Sequence, residues 1–222
     1  MTEAETFAAL LKARFSCRGF MPDPVPRDVI EDALADAQHV ASWNNVQPWQ
    51  VIALSPEETA GFATALSANA ETATHQSDIP FPLRYEGIYK ERRRACGWQL
   101  YDAVGVQKGD RAASGRQMRE NFRLFGAPNC LLVTTPKDLG AYGVLDCGAY
   151  VMAVMLALQA RGVASIAMAA VASFAPFVRA RYGIAEDRDL VCAVAFGYAD
   201  PDHPANSYRT TRAGLDEVVD WR

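Results

Sequence analysis

Ala41-Ser42-Trp43-Asn44-Asn45-Val46-Gln47-Pro48-Trp49-Gln50 is the stretch on which the reading of this chain turns. Before it, Val29, Ile30, Ala33, Leu34 and Ala37 make a helical apolar stripe ending near His39; after it, residues 50–54 (Gln-Val-Ile-Ala-Leu) read as a buried strand. Ten loop residues between two rigid elements thus carry amides, a hydroxyl and two indoles. An amide offers donors and an acceptor, so it can read the edge of a flat heterocycle. An indole can cover its face. The plainer alternative is that Ser42 caps a turn, Trp49 fills the core and the amides close turns.

A second motif lies upstream, Arg14-Phe15-Ser16-Cys17-Arg18. It follows a helix that Thr2-Glu3-Ala4-Glu5 opens with a capping-box pattern. In extended backbone, Arg14, Ser16 and Arg18 point to one side. Two guanidiniums and a hydroxyl on one side suit a phosphate. A further basic segment, Arg209-Thr210-Thr211-Arg212, stands in the tail and can complete an anion site or be ordinary surface charge.

The rest of the chain supplies the frame. Pro56-Glu57-Glu58 opens a third helix, and residues 71–85 read as an excursion over the surface. Helical pattern resumes over 86–107 and 112–122, and Leu131 to Thr135 is a strand bounded by prolines. Residues 142–160 form a long apolar helix that stops at Gly162. With Asp146 and Gln159 inside it, that helix reads as a core helix rather than a membrane span. Val163 to Ala172 is a small apolar segment, 174–182 a short helix ending at Gly183, and Leu190 to Tyr198 the strongest strand. Few strands, many helices and no β-α-β alternation predict an α+β domain. No linker or repeat divides residues 1–222, so one domain is expected.

Composition narrows the function. Half of the 222 residues are hydrophobic, enough for one sizeable core. A net charge of −4 without a dominant basic block gives no electrostatic case for nucleic acid, and Arg92-Arg93-Arg94 reads as a solvated helix face. Five scattered cysteines without C-x-x-C, and three histidines without ligand spacing, argue against a disulfide framework or a metal site. Reduced thiols and no signal-like N-terminus predict a cytoplasmic protein. G-x-G-x-x-G, the P-loop, H-E-x-x-H and G-x-S-x-G are all missing, so Rossmann, phosphate-loop, zinc-protease and α/β-hydrolase chemistries have no signal.

Taken together, R14-F-S16-C-R18 and S42-W-N-N45-V-Q47-P48-W49 resemble the signatures of the nitroreductase-like flavoproteins. The resemblance covers nearly the whole chain. It implies a central, mainly antiparallel sheet flanked by helices, with the C-terminal segment exchanged in a homodimer. It implies FMN, held by Arg14, Ser16, Arg18 and Arg212 with Arg209 beside them. Ser42, Asn45 and Gln47 would approach the flavin from the partner subunit or line the same cleft. Backbone N–H groups of Ala169 and Ala170 would serve the flavin N5 or O4.

The implied activity is ping-pong transfer from NADH or NADPH, through flavin N5, to a nitroaromatic or quinone-type acceptor. The redox chemistry belongs to the flavin, so no side chain is nominated as an obligatory acid or base. Phe15 stands where many relatives carry a second arginine, Met168 where glutamine is frequent, and Trp43 where a small residue is frequent. These three replacements predict a more apolar site that favours planar aromatic substrates, with Trp43 touching them. Other flavin reactions are known on this scaffold, namely dehydrogenation, reductive dehalogenation and flavin fragmentation. A non-catalytic FMN-binding module is a further alternative.

Overall fold

Helix α1, Glu3–Ala13, begins where its capping box predicts: Thr2 Oγ1 accepts the Glu5 amide at 3.2 Å and Glu5 Oε2 accepts the Thr2 amide at 2.8 Å. The computed structural model describes residues 1–222. After α1 come α2 (Arg27–Ala37), β1 (Gln50–Leu54), α3 (Pro56–Thr72), α4 (Gly87–Ala103), α5 (Arg111–Arg119) and β2 (Asn129–Pro136). The second half holds α6 (Gly140–Ala160), β3 (Ala164–Met168), α7 (Ala169–Ala172), α8 (Ala175–Tyr182) and β4 (Arg188–Gly197).

The four strands form one antiparallel sheet in the order β1-β2-β4-β3. Register follows the pleat. Ile52 faces Leu132, Leu132 faces Ala193, and Ala195 faces Ile166. On that side Cys130, Leu132, Ala193, Ala195 and Ile166 pack under Phe62 and Leu66 of α3, Phe174, and Val178 of α8. The alternate residues Leu131, Val133, Cys192, Val194 and Phe196 pack against Ala33 and Ala37 of α2 and Tyr150, Val154 and Leu158 of α6. Both faces of β2 and β4 are therefore covered, which is why these strands are continuously apolar rather than alternating. Each large side chain so buried contributes about 1.5–3 kcal/mol relative to exposure.

The fourth strand, β3, was not legible as one. Its residues Ala164-Ser165-Ile166-Ala167-Met168 carry a single β-branched side chain, and pairing with β4 decides their conformation. Residues 73–86 do run as an irregular, largely exposed excursion, tied by a bridge from Gln76 to Phe174 and by Asp78, which pairs with Arg179 at 2.7 Å and accepts the Leu190 amide at 2.8 Å.

Several apolar faces have no cover within the chain. α1 buries no residue, leaving Phe7 and Leu11 exposed. α6 is long and apolar enough to cross a membrane by composition, yet one face lies on the sheet. Its other face presents Tyr142, Leu145 and Met152, which are 57%, 66% and 40% exposed. Leu215, Val218 and Trp221 of the tail are likewise exposed.

Candidate cofactor site

The Arg14–Arg18 segment leaves α1 in extended backbone and joins the sheet edge: Ser16 bridges to Ser165 in parallel, and the Cys17 amide donates to the Ser165 carbonyl at 3.2 Å. Cys17 turns inward and is fully buried, whereas Arg14, Ser16 and Arg18 line a cleft of about 580 Å³. The alternation thus holds, except that Phe15 also reaches the cleft wall. The opposite wall is the tail, through Tyr208, Arg209, Thr210 and Arg212. Met152 of α6, Cys96 of α4 and Leu11 of α1 close the sides.

Asn206 holds the two halves together. Its Oδ1 accepts the Arg18 amide at 2.9 Å, and its Nδ2 donates to the carbonyls of Gly19 at 2.8 Å and Asp200 at 2.9 Å. Gly19 lies against the His203 ring so closely that a Cβ would sit 2.1 Å from it. A glycine is required there by close approach alone.

Arg14, Arg18, Arg209 and Arg212 converge on this cleft with Lys12, no carboxylate lines it, and none of the four arginines forms an ion pair. Arg18 is oriented by its own loop, with Nη1 donating to the Ser16 carbonyl at 3.2 Å and the guanidinium 5.8 Å from the Phe125 ring. Phe125 is itself in the left-handed region (φ 54°), held there in a buried turn. Arg209 lies over the Phe15 ring at 3.7 Å, so the residue that replaces a second arginine serves as a platform for another one. Arg212 Nη1 donates to Thr210 Oγ1 at 2.8 Å and to the Thr210 and Thr211 carbonyls. Arg14 makes no such bond; burial and then the neighbouring Arg212 hold its pKa below the usual guanidinium value. The Tyr208 hydroxyl is buried without a partner, and burial raises its pKa. Uncompensated like charges and an unpartnered hydroxyl suit an anionic ligand.

The other predicted residues lie elsewhere in the single chain. Ser42, Trp43, Asn45 and Gln47 do not line the cleft, nor do Ala169 and Ala170. The loop closes on itself. Ser42 Oγ accepts the Gln47 amide at 3.0 Å, and Gln47 Nε2 donates to the Asn45 carbonyl at 3.2 Å. Asn44, Asn45 and Gln47 are all left-handed, with φ of 47°, 57° and 47°. The two indoles part company: Trp49 is buried, stacked on Tyr150 at 4.8 Å with Nε1 donating to Gln38 Oε1, while Trp43 is 58% exposed beside Tyr142 at 5.0 Å. Trp49 therefore belongs to the core. So does Met168, at 2% exposed; strand alternation turns Ala167 outward instead, and Met168 does not make any site more apolar. Asn206, Tyr208, Phe125, Met152 and Cys96 were missed as site residues. Asn206 and Tyr208 stand beside the flagged Arg209, but nothing local marks the other three.

Comparisons with known proteins agree with this geometry. The model of the Nitroreductase family matches residues 11–198. Nitroreductase NfnB of Mycolicibacterium smegmatis is 34% identical over 220 residues, covering 97% of this chain and 92% of that protein. A 4-nitrobenzoate reductase of Nocardioides sp. is 32% identical, covering 97% and 89%. The crystal structure of the FMN-dependent nitroreductase NfnB from Mycobacterium smegmatis in complex with NADPH superposes with a TM-score of 0.95 at 32% identity, over 100% of both chains. Sequence, fold and cleft agree that the chain belongs to the nitroreductase family.

Proposed function

We propose that this chain is a homodimeric, FMN-dependent NAD(P)H oxidoreductase that reduces nitroaromatic acceptors. The observation that carries the reading is the cleft in which four arginines meet no carboxylate. The M. smegmatis relative is described as FMN-dependent and was solved with NADPH, and relatives from Nocardioides and Pseudomonas putida are named 4-nitrobenzoate reductases. Bound FMN would supply two-electron chemistry at one flat ring, so that reductant and acceptor occupy the same place in turn.

The chain's own part is to bind, orient and exclude water. Arg14 and Arg212 hold the phosphate, with the Ser16 hydroxyl and Tyr208 Oη beside them. Arg209, fixed on Phe15, walls the ribityl side. Arg18, oriented by the Ser16 carbonyl and the Phe125 ring, would hold a fixed positive charge beside bound FMN. Ser42, Asn45 and Gln47 would come from the partner subunit, the Ser42 hydroxyl and the two side-chain amides reading the flavin edge, with Trp43 against the planar substrate. The Ala169 and Ala170 amides would be available to bound FMN, since their small side chains allow close approach.

Two features support the dimer: the uncovered stripe Tyr142-Leu145-Met152 on α6, and the tail anchors Leu215, Val218 and Trp221, which find no core in their own chain. The exchanged tail then docks on the second copy. Residues 1–222 act as one domain, because both hydrophobic clusters share the sheet and the tail completes the arginine cleft. Five free thiols suit a reducing compartment, and we place the protein in the cytoplasm.

The test is the absorbance spectrum of the purified protein, recorded before and after anaerobic NAD(P)H and then after a nitroarene. Flavin absorbance that bleaches and returns is expected. Protein that stays colourless after incubation with FMN overturns the cofactor reading. Bleaching without reoxidation by a nitroarene leaves the oxidoreductase and removes the acceptor class.

A further inference from the structure

Asp146 is a charged residue inside the most apolar helix of the chain. It is 7% exposed, and both carboxylate oxygens accept one donor, the backbone amide of Trp43, at 3.2 and 3.1 Å. No arginine or lysine forms an ion pair with it. A buried carboxylate held by a single backbone donor gains little stability from its place in the core. Its placement is informative. Tyr142, one turn earlier on the same face of α6, meets the Trp43 ring at 5.0 Å. Trp43 is thus pinned twice from α6, by its amide and by its indole. Directly after it come Asn44, Asn45 and Gln47, three non-glycine residues in left-handed backbone, closed by the Ser42–Gln47 hydrogen bond. Each such conformation is disfavoured and persists only where the surroundings over-determine it.

We propose that Asp146 is the positioning residue of the flavin-reading loop: it anchors the Trp43 amide so that Asn45 and Gln47 are presented in the geometry that meets the cofactor edge. The inference rests on the reading that this loop faces the flavin of the partner subunit. It acts through the backbone, so its signature is a change in flavin binding and environment that follows the acceptor at position 146, not the size of the side chain.

The test uses the full-length protein. Asp146→Leu removes the acceptor and keeps the branched heavy-atom shape; Asp146→Asn keeps one acceptor oxygen. In the FMN-free protein, hydrogen exchange over residues 42–47 should accelerate in Asp146→Leu and stay near wild type in Asp146→Asn. FMN should bind about tenfold more weakly to Asp146→Leu, with a shifted visible spectrum, and Asp146→Asn should restore most of both. A second pair works from the donor side, at an exposed position where folding is not at stake. Trp43→Ala keeps the amide and Trp43→Pro removes it. Ser42 already has the extended backbone (φ −138°, ψ 160°) that precedes a proline. Trp43→Pro should bind FMN about tenfold more weakly than Trp43→Ala. Equal affinity and spectra in that pair, or wild-type FMN binding by Asp146→Leu, would overturn the proposal. Gln47→Ala separates the underlying reading: if it leaves FMN affinity and spectrum unchanged, the loop does not meet the flavin, whatever Asp146 holds in place.

Discussion

Removing either arginine proposed to hold the FMN phosphate, Arg14 or Arg212, should weaken FMN binding by an amount that depends on how far that arginine is already fixed. One charge-assisted contact is worth about 1.5–3 kcal/mol. Arg212 already has Nη1 tied to Thr210 and Thr211, so it loses little rotamer freedom when an anion arrives. Arg14 has no such tether and must be ordered, at a cost of up to about 2 kcal/mol. Arg212→Gln should therefore fall near the upper end, roughly a hundredfold in Kd, and Arg14→Gln near the lower end, roughly tenfold. Because the two guanidiniums repel each other when no anion is present, deleting one makes the other a weaker loss. The double variant should thus lose less than the sum. The same repulsion sets the sign for the FMN-free protein: either variant should be at least as resistant to heat as the wild type, and less stabilised by added inorganic phosphate. Fluorescence titration of FMN into apoprotein, with thermal melts at fixed phosphate, measures all of this. Unchanged FMN affinity in both single variants would place the phosphate elsewhere. A large loss of apoprotein stability would make the arginines structural and refute the reasoning.

Only Cys96 should react with maleimide at neutral pH, and FMN should protect it, because it alone is exposed and it lines the arginine cleft. Burial keeps the other thiols protonated, pushing Cys147 up to about 11 and Cys192 up to about 12, so rapid modification at either, read by peptide mass, would contradict the core described here. Leu145→Glu sets a charge in the uncovered stripe of α6 and should give a monomer by light scattering with flavin lost on gel filtration; a flavin-loaded dimer would move the interface off α6.

The sequence alone determined much of this protein because its signals are local. The period of Val29 to Ala37 specifies α2, and continuous apolar runs specify β1, β2 and β4, although β1 lies at the sheet edge and buries only Leu54 instead of being the buried strand expected. The capping box starts α1, and the alternation of Arg14, Ser16 and Arg18 points three polar groups one way once the segment is extended along the sheet edge. Family membership followed from two short motifs for the same reason: the Arg-x-Ser-x-Arg run at 14–18 and the amide loop at 42–49 are each written within a few residues.

What the tertiary structure decided is what depends on residues far apart in the chain. β3 is a strand because β4 offers it hydrogen bonds, not because Ala164 to Met168 prefer extension. Trp49 and Met168 are core residues because of the side of the sheet on which their backbone falls, which shifts with a single residue of register. Asn206 joins two segments nearly the whole chain apart, and Asp146 reaches the Trp43 amide from a helix a hundred residues downstream. Such contacts leave no periodic trace, because a buried polar residue is chosen for one partner in space and its sequence neighbours carry no record of it.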